Sequence, residues 1–131
     1  MVVIDTSVLI AAGRGQINLP TTQGGMEEDL ATAAICVSEL SQGIHRAGTV
    51  RRRTAREAQL AYVLRSLRVL PFDLETARLH GQLWADLSSR GIQLGAHDLI
   101  IAATALYHNA RLATRDKRSF PKIKGLAVEY W

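Results

Sequence analysis

Val2-Val3-Ile4-Asp5-Thr6-Ser7-Val8-Leu9-Ile10 decides how the rest of the chain is read. With Met1, the three β-branched residues before Asp5 are apolar at every position instead of at alternate ones. That pattern belongs to a strand covered on both faces, as in a parallel sheet between layers of helix. Asp5, Thr6 and Ser7 then offer the side chains that start helices, and Val8 to Ala12 continues as a helix stopped by Gly13. A strand running straight into a helix is the repeating unit of an α/β fold. It leaves one carboxylate, Asp5, on the turn between them.

The same alternation runs outward to the end of the chain. Gly15, Pro20, Gly24 and Gly25 mark residues 14 to 25 as a loop. Ala31 to Cys36 reads as a second small apolar strand, and Val37 to Arg46 as a helix. Residues 50 to 68 are rich in arginine but repeat Ala58, Leu60, Ala61, Leu64 and Leu67 at helical spacing, which predicts an amphipathic helix. Val69-Leu70-Pro71-Phe72 is a short extended piece, and Leu74 to Arg90 is a helix closed by Gly91. Ala96 to Asn109 predicts an apolar helix that turns Leu99, Ile100, Ala102, Ala103 and Leu106 inward. Leu112-Ala113-Thr114 and Leu126-Ala127-Val128 are the last two strands. Short strands alternating with helices predict α/β architecture, a central mainly parallel sheet flanked by helices. The 131 residues suit a single domain, 1–131.

Composition removes several classes of function. Cys36 is the only cysteine, so neither an intrachain disulfide nor a cysteine zinc site can be built. The plain reading of Cys36 is a small buried hydrophobe, and a reducing cytoplasm is the expected compartment. Asp5 interrupts the one apolar stretch near Met1, so neither a signal peptide nor a membrane span is expected there. Aromatic residues make up 5%, too few for a base-stacking platform. Sixteen Lys and Arg against twelve Asp and Glu give a net charge of +4. Arginines crowd residues 46–56, and Arg111, Arg115, Lys117, Arg118, Lys122 and Lys124 crowd the region around Asp116. Clusters of this kind favour polyanions through counterion release, although a solvated helix face accounts equally well for the first.

Four acidic residues recur at comparable places in the strand–helix pattern. Asp5 ends the first strand, Glu39 lies just inside the helix after the second, and Asp116 follows the strand at 112–114. Parallel sheets bind ligands outside the carboxyl ends of their strands, and these three fall on that edge. Asp98, which opens the apolar helix, joins them only if that helix starts on the same side. Taken singly, each has a structural reading: a cap for Asp5 or Asp116, a favourable helix-dipole charge for Asp98, an exposed helical residue for Glu39. Together they form a hard-oxygen donor set of the kind that suits Mg²⁺ with water and phosphate. A cation there would activate a water against a phosphodiester, leaving 5′ phosphate and 3′ hydroxyl ends.

In context, these residues resemble the motifs of the PIN-domain ribonucleases, in particular the VapC-type toxins of toxin–antitoxin pairs. Val2–Ile10 is similar to the first motif, Val37-Ser38-Glu39-Leu40-Ser41-Gln42-Gly43 to the second and His97-Asp98-Leu99-Ile100-Ile101-Ala102-Ala103-Thr104-Ala105-Leu106 to the third. Leu112-Ala113-Thr114-Arg115-Asp116-Lys117-Arg118-Ser119-Phe120 is similar to the fourth, and Gly125–Trp131 to the usual ending. The resemblance implies a PIN-like three-layer fold and an endoribonuclease that uses Mg²⁺, with Mn²⁺ as a substitute. It implies an RNA substrate, a cognate antitoxin and a homodimer. Asp5, Glu39, Asp98 and Asp116 carry over as catalytic metal ligands, supported by hydrogen bonds from Thr6, Ser7 and Thr114. Relatives vary between Asn and Asp at the place of Asp116, which leaves its direct role open. Arg115, Lys117 and Arg118 are the candidates to grip the RNA backbone.

Other readings remain to be weighed. An aspartyl-phosphate hydrolase wants a second acid two residues after Asp5, where this chain has Ser7. A non-catalytic RNA-binding module is the standing alternative. Gly13-Arg14-Gly15 lacks both the third glycine and the preceding strand of a phosphate-cradling loop. His97 is either structural or a phosphate contact, and His45, His80 and His108 share no ligand spacing. Leu83, Trp84 and Leu87 read as core, or else as a dimer contact.

Overall fold

The computed structural model describes residues 1–20 and 28–131. Part of the loop expected at 14–25 therefore lies outside the described residues. Five parallel strands form one sheet in the order β3-β2-β1-β4-β5: β1 (Val2–Ile4), β2 (Leu30–Ala33), β3 (Arg68–Leu70), β4 (Arg111–Thr114) and β5 (Val128–Tyr130). Helices α1 (Thr6–Gly13), α2 (Ala34–His45), α3 (Val50–Ser66), α4 (Leu74–Ser89) and α5 (Ala96–Tyr107) flank it. The first strand is the central one, with Val3 paired to Ala31 on one side and to Leu112 on the other. Val2, Val3 and Ile4 are wholly buried, as their unbroken apolar pattern requires.

Order reverses about β1: the chain builds outward to β2 and β3, then crosses to β4 and β5. The ends of β1 and β4 thus lie side by side at the reversal, where parallel sheets open a crevice. There the Asp5 amide donates to the Ala113 carbonyl at 2.9 Å, tying the two strand ends together. Phe120, in the 3₁₀ turn Phe120–Lys122, is the largest fully buried side chain and anchors the loop beyond β4 in the core.

Several boundaries depart from expectation. The first helix begins at Thr6, directly after Asp5, and not at Val8. Ile35 and Cys36 are helical, since β2 ends at Ala33 and α2 starts at Ala34. A short apolar run has no periodicity to separate strand from helix, and here the helical turn brings the buried Cys36 thiol beneath the Ile4 carbonyl. β3 ends before Pro71, which has no amide for the ladder. The final strand runs Val128–Tyr130 and not 126–128, after Gly125 at φ +81°. On α3 only Val63 is fully buried, and Leu64 is half exposed, so the expected apolar stripe is shifted and narrower. Leu87 is core and Leu83 packs against it, but Trp84 is 61% exposed. No described helix is long and apolar enough to cross a membrane.

Candidate active site

The fold gathers the expected residues at the carboxyl edge of β1 and β4. Asp5 is 6% exposed although it is a carboxylate. Its Oδ2 accepts from Ser7 Oγ and from Thr114 Oγ1, both at 2.7 Å. The two hydroxyls are held in turn: Ser7 Oγ accepts from the Arg115 amide at 3.0 Å, and Thr114 Oγ1 from the Asp116 amide at 3.0 Å. Each hydroxyl's single proton is therefore committed to Asp5, and the carboxylate plane is fixed by β1, α1 and β4 together. Asp5 occupies the N-cap position of α1 without making a side-chain cap bond, so the plain capping role weighed for it is not the one it plays.

Thr6 reaches the other way and donates to Glu39 Oε1 at 3.2 Å, joining α1 to α2. The carboxyl pKa of Glu39 is raised, first by burial and then by the charges of Asp5 and Asp98, against the lowering effects of Thr6 and His97. Asp98, in the first turn of α5, is likewise raised by burial and by Asp5 and Asp116. Glu39 and Asp98 thus lie within the field of other acids, and the first turn of α5 meets α2 on the same side as the strand ends. His97 Nδ1 stands 3.9 Å from Glu39 Oε1.

Asp116 is differently placed. Its Oδ1 accepts from the amides of Arg118 at 2.7 Å and Ser119 at 3.4 Å, closing the turn after β4. Those bonds hold its pKa below the usual carboxylate range. The capping reading of Asp116 is therefore realised, and its charge still reaches Asp98. Ser119, absent from the candidates that the sequence suggests, helps to close this turn by donating its amide to Asp116. The Asp-x-x-Ser spacing of a side-chain-closed turn is the signal that could have found it.

The donor set fits a hard cation. Among the described residues, neither Asp5 nor Asp98 is paired with Lys or Arg, and Glu39 has only His97 nearby. A buried carboxylate without a cationic partner is costly, and a divalent ion would relieve it. No three His, Cys, Asp or Glu among the described residues are packed closely enough to enclose an ion by themselves. Mg²⁺ needs no such cage, being held through one or two carboxylates with waters and substrate phosphate. Arg115, Lys117 and Arg118 are all exposed beside this edge, and Lys117 Nζ lies 5.7 Å above the Tyr130 ring.

A strand-order reversal carrying this carboxylate group is the arrangement of a PIN domain, and the family model described as the PIN domain matches residues 2–126. The chain belongs to the PIN-domain family, among the VapC-type ribonucleases. Ribonuclease VapC1 of Rickettsia felis is 33% identical over 126 residues, covering 96% of this chain and 92% of that protein. The crystal structure of VapBC-5 from Mycobacterium tuberculosis, a member of the VapBC family of toxin–antitoxin systems, aligns with a TM-score of 0.74 at 30% identity. It covers 98% of this chain and 94% of its counterpart. VapBC2 from Rickettsia felis, bound to a DNA fragment from its promoter, has a TM-score of 0.84 at 23% identity, covering 100% and 99%, which shows likeness of fold.

Proposed function

We propose that this protein is the endoribonuclease toxin of a toxin–antitoxin pair, hydrolysing RNA phosphodiesters at the acidic edge of β1 and β4. The observation that carries this reading is Asp5: a carboxylate buried at the end of the central strand, fixed by two hydroxyls, with no basic partner among the described residues. The family relationship supplies the ribonuclease chemistry and the antitoxin partner.

Asp5, Glu39 and Asp98 would hold Mg²⁺, for which Mn²⁺ is the chemical substitute, and Asp116 would complete the site from its turn. When bound, the ion supplies Lewis-acid stabilisation of phosphoryl charge and lowers the pKa of water. Ser7 and Thr114 orient Asp5, and Thr6 orients Glu39, so the carboxylates meet the substrate preorganised. Arg115, Lys117 and Arg118 hold the backbone of the RNA against the site. The protein works in the cytoplasm, as a homodimer, under the control of a cognate antitoxin.

Induced expression tests this reading. Wild-type protein should arrest growth and leave new, mapped breaks in cellular RNA, while Asp98→Asn, folded and equally abundant, should do neither. Growth arrest without RNA breaks, or unchanged toxicity in the variant, would return the protein to the alternative of a non-catalytic RNA-binding module.

A further inference from the structure

A groove opens from the acid cluster between α1, α2 and α3. It encloses about 900 Å³, with Thr6, Glu39 and His97 at its inner end and Arg14, Arg52 and Arg56 along its walls. All three arginines are exposed, and none is ion-paired among the described residues. Arg52, Arg56 and Gln59 recur at the spacing that places them on one face of α3, and all three line the groove. Arg56 Nη1 donates to the Gly43 carbonyl of α2 at 2.5 Å, so its guanidinium bridges the two walls with further N–H groups to offer.

The local charge pattern is itself unfavourable. Arg51, Arg52 and Arg53 fill the first turn of α3, the positive end of its dipole, and that turn contains no acid. Thr49 is the one favourable device there, accepting from the Arg52 amide at 3.2 Å. A helix that places its cations where its own dipole opposes them breaks a local rule, and such breaks are expected where function demands them. A polyanion supplies the missing charge, with helix amides and guanidinium groups acting on it together.

We propose that this groove is the track along which an RNA strand leaves the acid cluster, with Arg52 and Arg56 holding its phosphates. The proposal rests on the ribonuclease reading above and adds a second binding face to Arg115, Lys117 and Arg118. A strand lying there has its scissile phosphate at Glu39 and Asp5 and its neighbouring phosphates against α3. Arg14, on the opposite wall, adds to the field.

The test is the salt dependence of binding, measured by anisotropy with a fluorescein-labelled oligouridylate at fixed Mg²⁺, in the cleavage-disabled Asp98→Asn background. Arg52→Gln with Arg56→Gln should weaken binding and flatten the slope of log affinity against log salt by about 1.4, at about 0.7 for each phosphate no longer neutralised on a single strand. Arg52→Lys with Arg56→Lys should keep the slope. Arg51→Gln with Arg53→Gln removes equal charge from the same turn outside the groove and should leave the slope nearly intact. Equal effects of the two glutamine pairs would overturn the proposal in favour of diffuse charge, as would an unchanged slope in the groove pair. A groove pair that binds RNA normally but escapes its antitoxin would make the groove a protein-binding surface, and the proposal would also fall. RNA cleavage by the otherwise wild-type chain is scored separately: if it persists while the slope test fails, only the groove assignment is lost.

Discussion

Asp98→Asn in metal-free protein isolates the electrostatic tension of the acid cluster from catalysis. The substitution removes one charge at almost constant volume. Asp98 stands in the field of Asp5 and Asp116, and it raises the pKa of Glu39 in return. Two carboxylates about 6 Å apart at an effective dielectric near 20 repel by about 3 kcal/mol. Asp98 is only partly buried, and solvent screening of exposed pairs reduces such terms to between about 0.2 and 1 kcal/mol each. Relief from its acidic neighbours is therefore about 1–2 kcal/mol. Against it stands the loss of a favourable charge in the first turn of α5, about 0.3–1 kcal/mol. Repulsion wins by a small margin, so the apo variant should melt roughly 2–5 °C above wild type at pH 7 in EDTA and low salt.

The sign reverses the usual carboxylate behaviour. Both Glu39 and Asp98 have folded pKa values above their unfolded ones. Their protonation contributes stability that is fully present below the unfolded value, about 4, and is lost as pH rises through the folded value. The advantage of Asp98→Asn should consequently vanish near pH 4 and grow toward neutrality. Adding Mg²⁺ at about 100 times its dissociation constant should stabilise wild type by roughly 2.7 kcal/mol, and Asp98→Asn by much less. Calorimetry at several pH values, with and without Mg²⁺, reads all of this. A variant that melts below wild type in EDTA yet keeps the full Mg²⁺ response would show that Asp98 serves its helix and not a metal.

Three further outcomes follow from the same geometry. Thr114→Val keeps the buried shape but deprives Asp5 of one of its two hydroxyl donors and the Asp116 amide of its acceptor. It should cost about 1–3 kcal/mol in urea unfolding and reduce cleavage, and an unaltered midpoint would contradict its part in holding Asp5 and the turn after β4. Neutralising Arg115, Lys117 and Arg118 together should flatten the salt dependence of RNA binding by about 0.7 for each phosphate that loses its cation, and an unchanged slope would move these residues off the binding face. Product ends should be 5′ phosphate and 3′ hydroxyl, whereas a 2′,3′-cyclic phosphate would replace water by the RNA's own 2′ hydroxyl as nucleophile.

The fold is legible in the sequence where pattern and burial agree. Val2–Ile4 is apolar at each position because the central strand is covered on both faces, and the glycines and prolines punctuate the rest. Ile35 and Cys36 read as strand because a short apolar run carries no period of its own, and packing against the end of β1 makes them helical. The stripe on α3 misleads in another way: leucine at position 64 fits helical spacing, yet that side chain is half exposed and Val63 is the buried residue. Strand ends are enough to place Asp5 and Asp116 on one edge. No residue pattern determines the side from which α5 starts, so Asp98 needs the three-dimensional structure. The groove stays hidden for the same reason, since its walls come from elements distant along the chain, whereas Ser119 lies within a local Asp-x-x-Ser turn.

The most direct measurement is cleavage of purified RNA by the purified protein beside Asp5→Asn, both with Mg²⁺ and with EDTA. Wild type should cleave in Mg²⁺ alone, and Asp5→Asn in neither condition despite a native circular dichroism spectrum. Cleavage by Asp5→Asn at the wild-type rate, or undiminished cleavage in EDTA, would contradict a metal site built on Asp5 and place the chemistry elsewhere on the molecule.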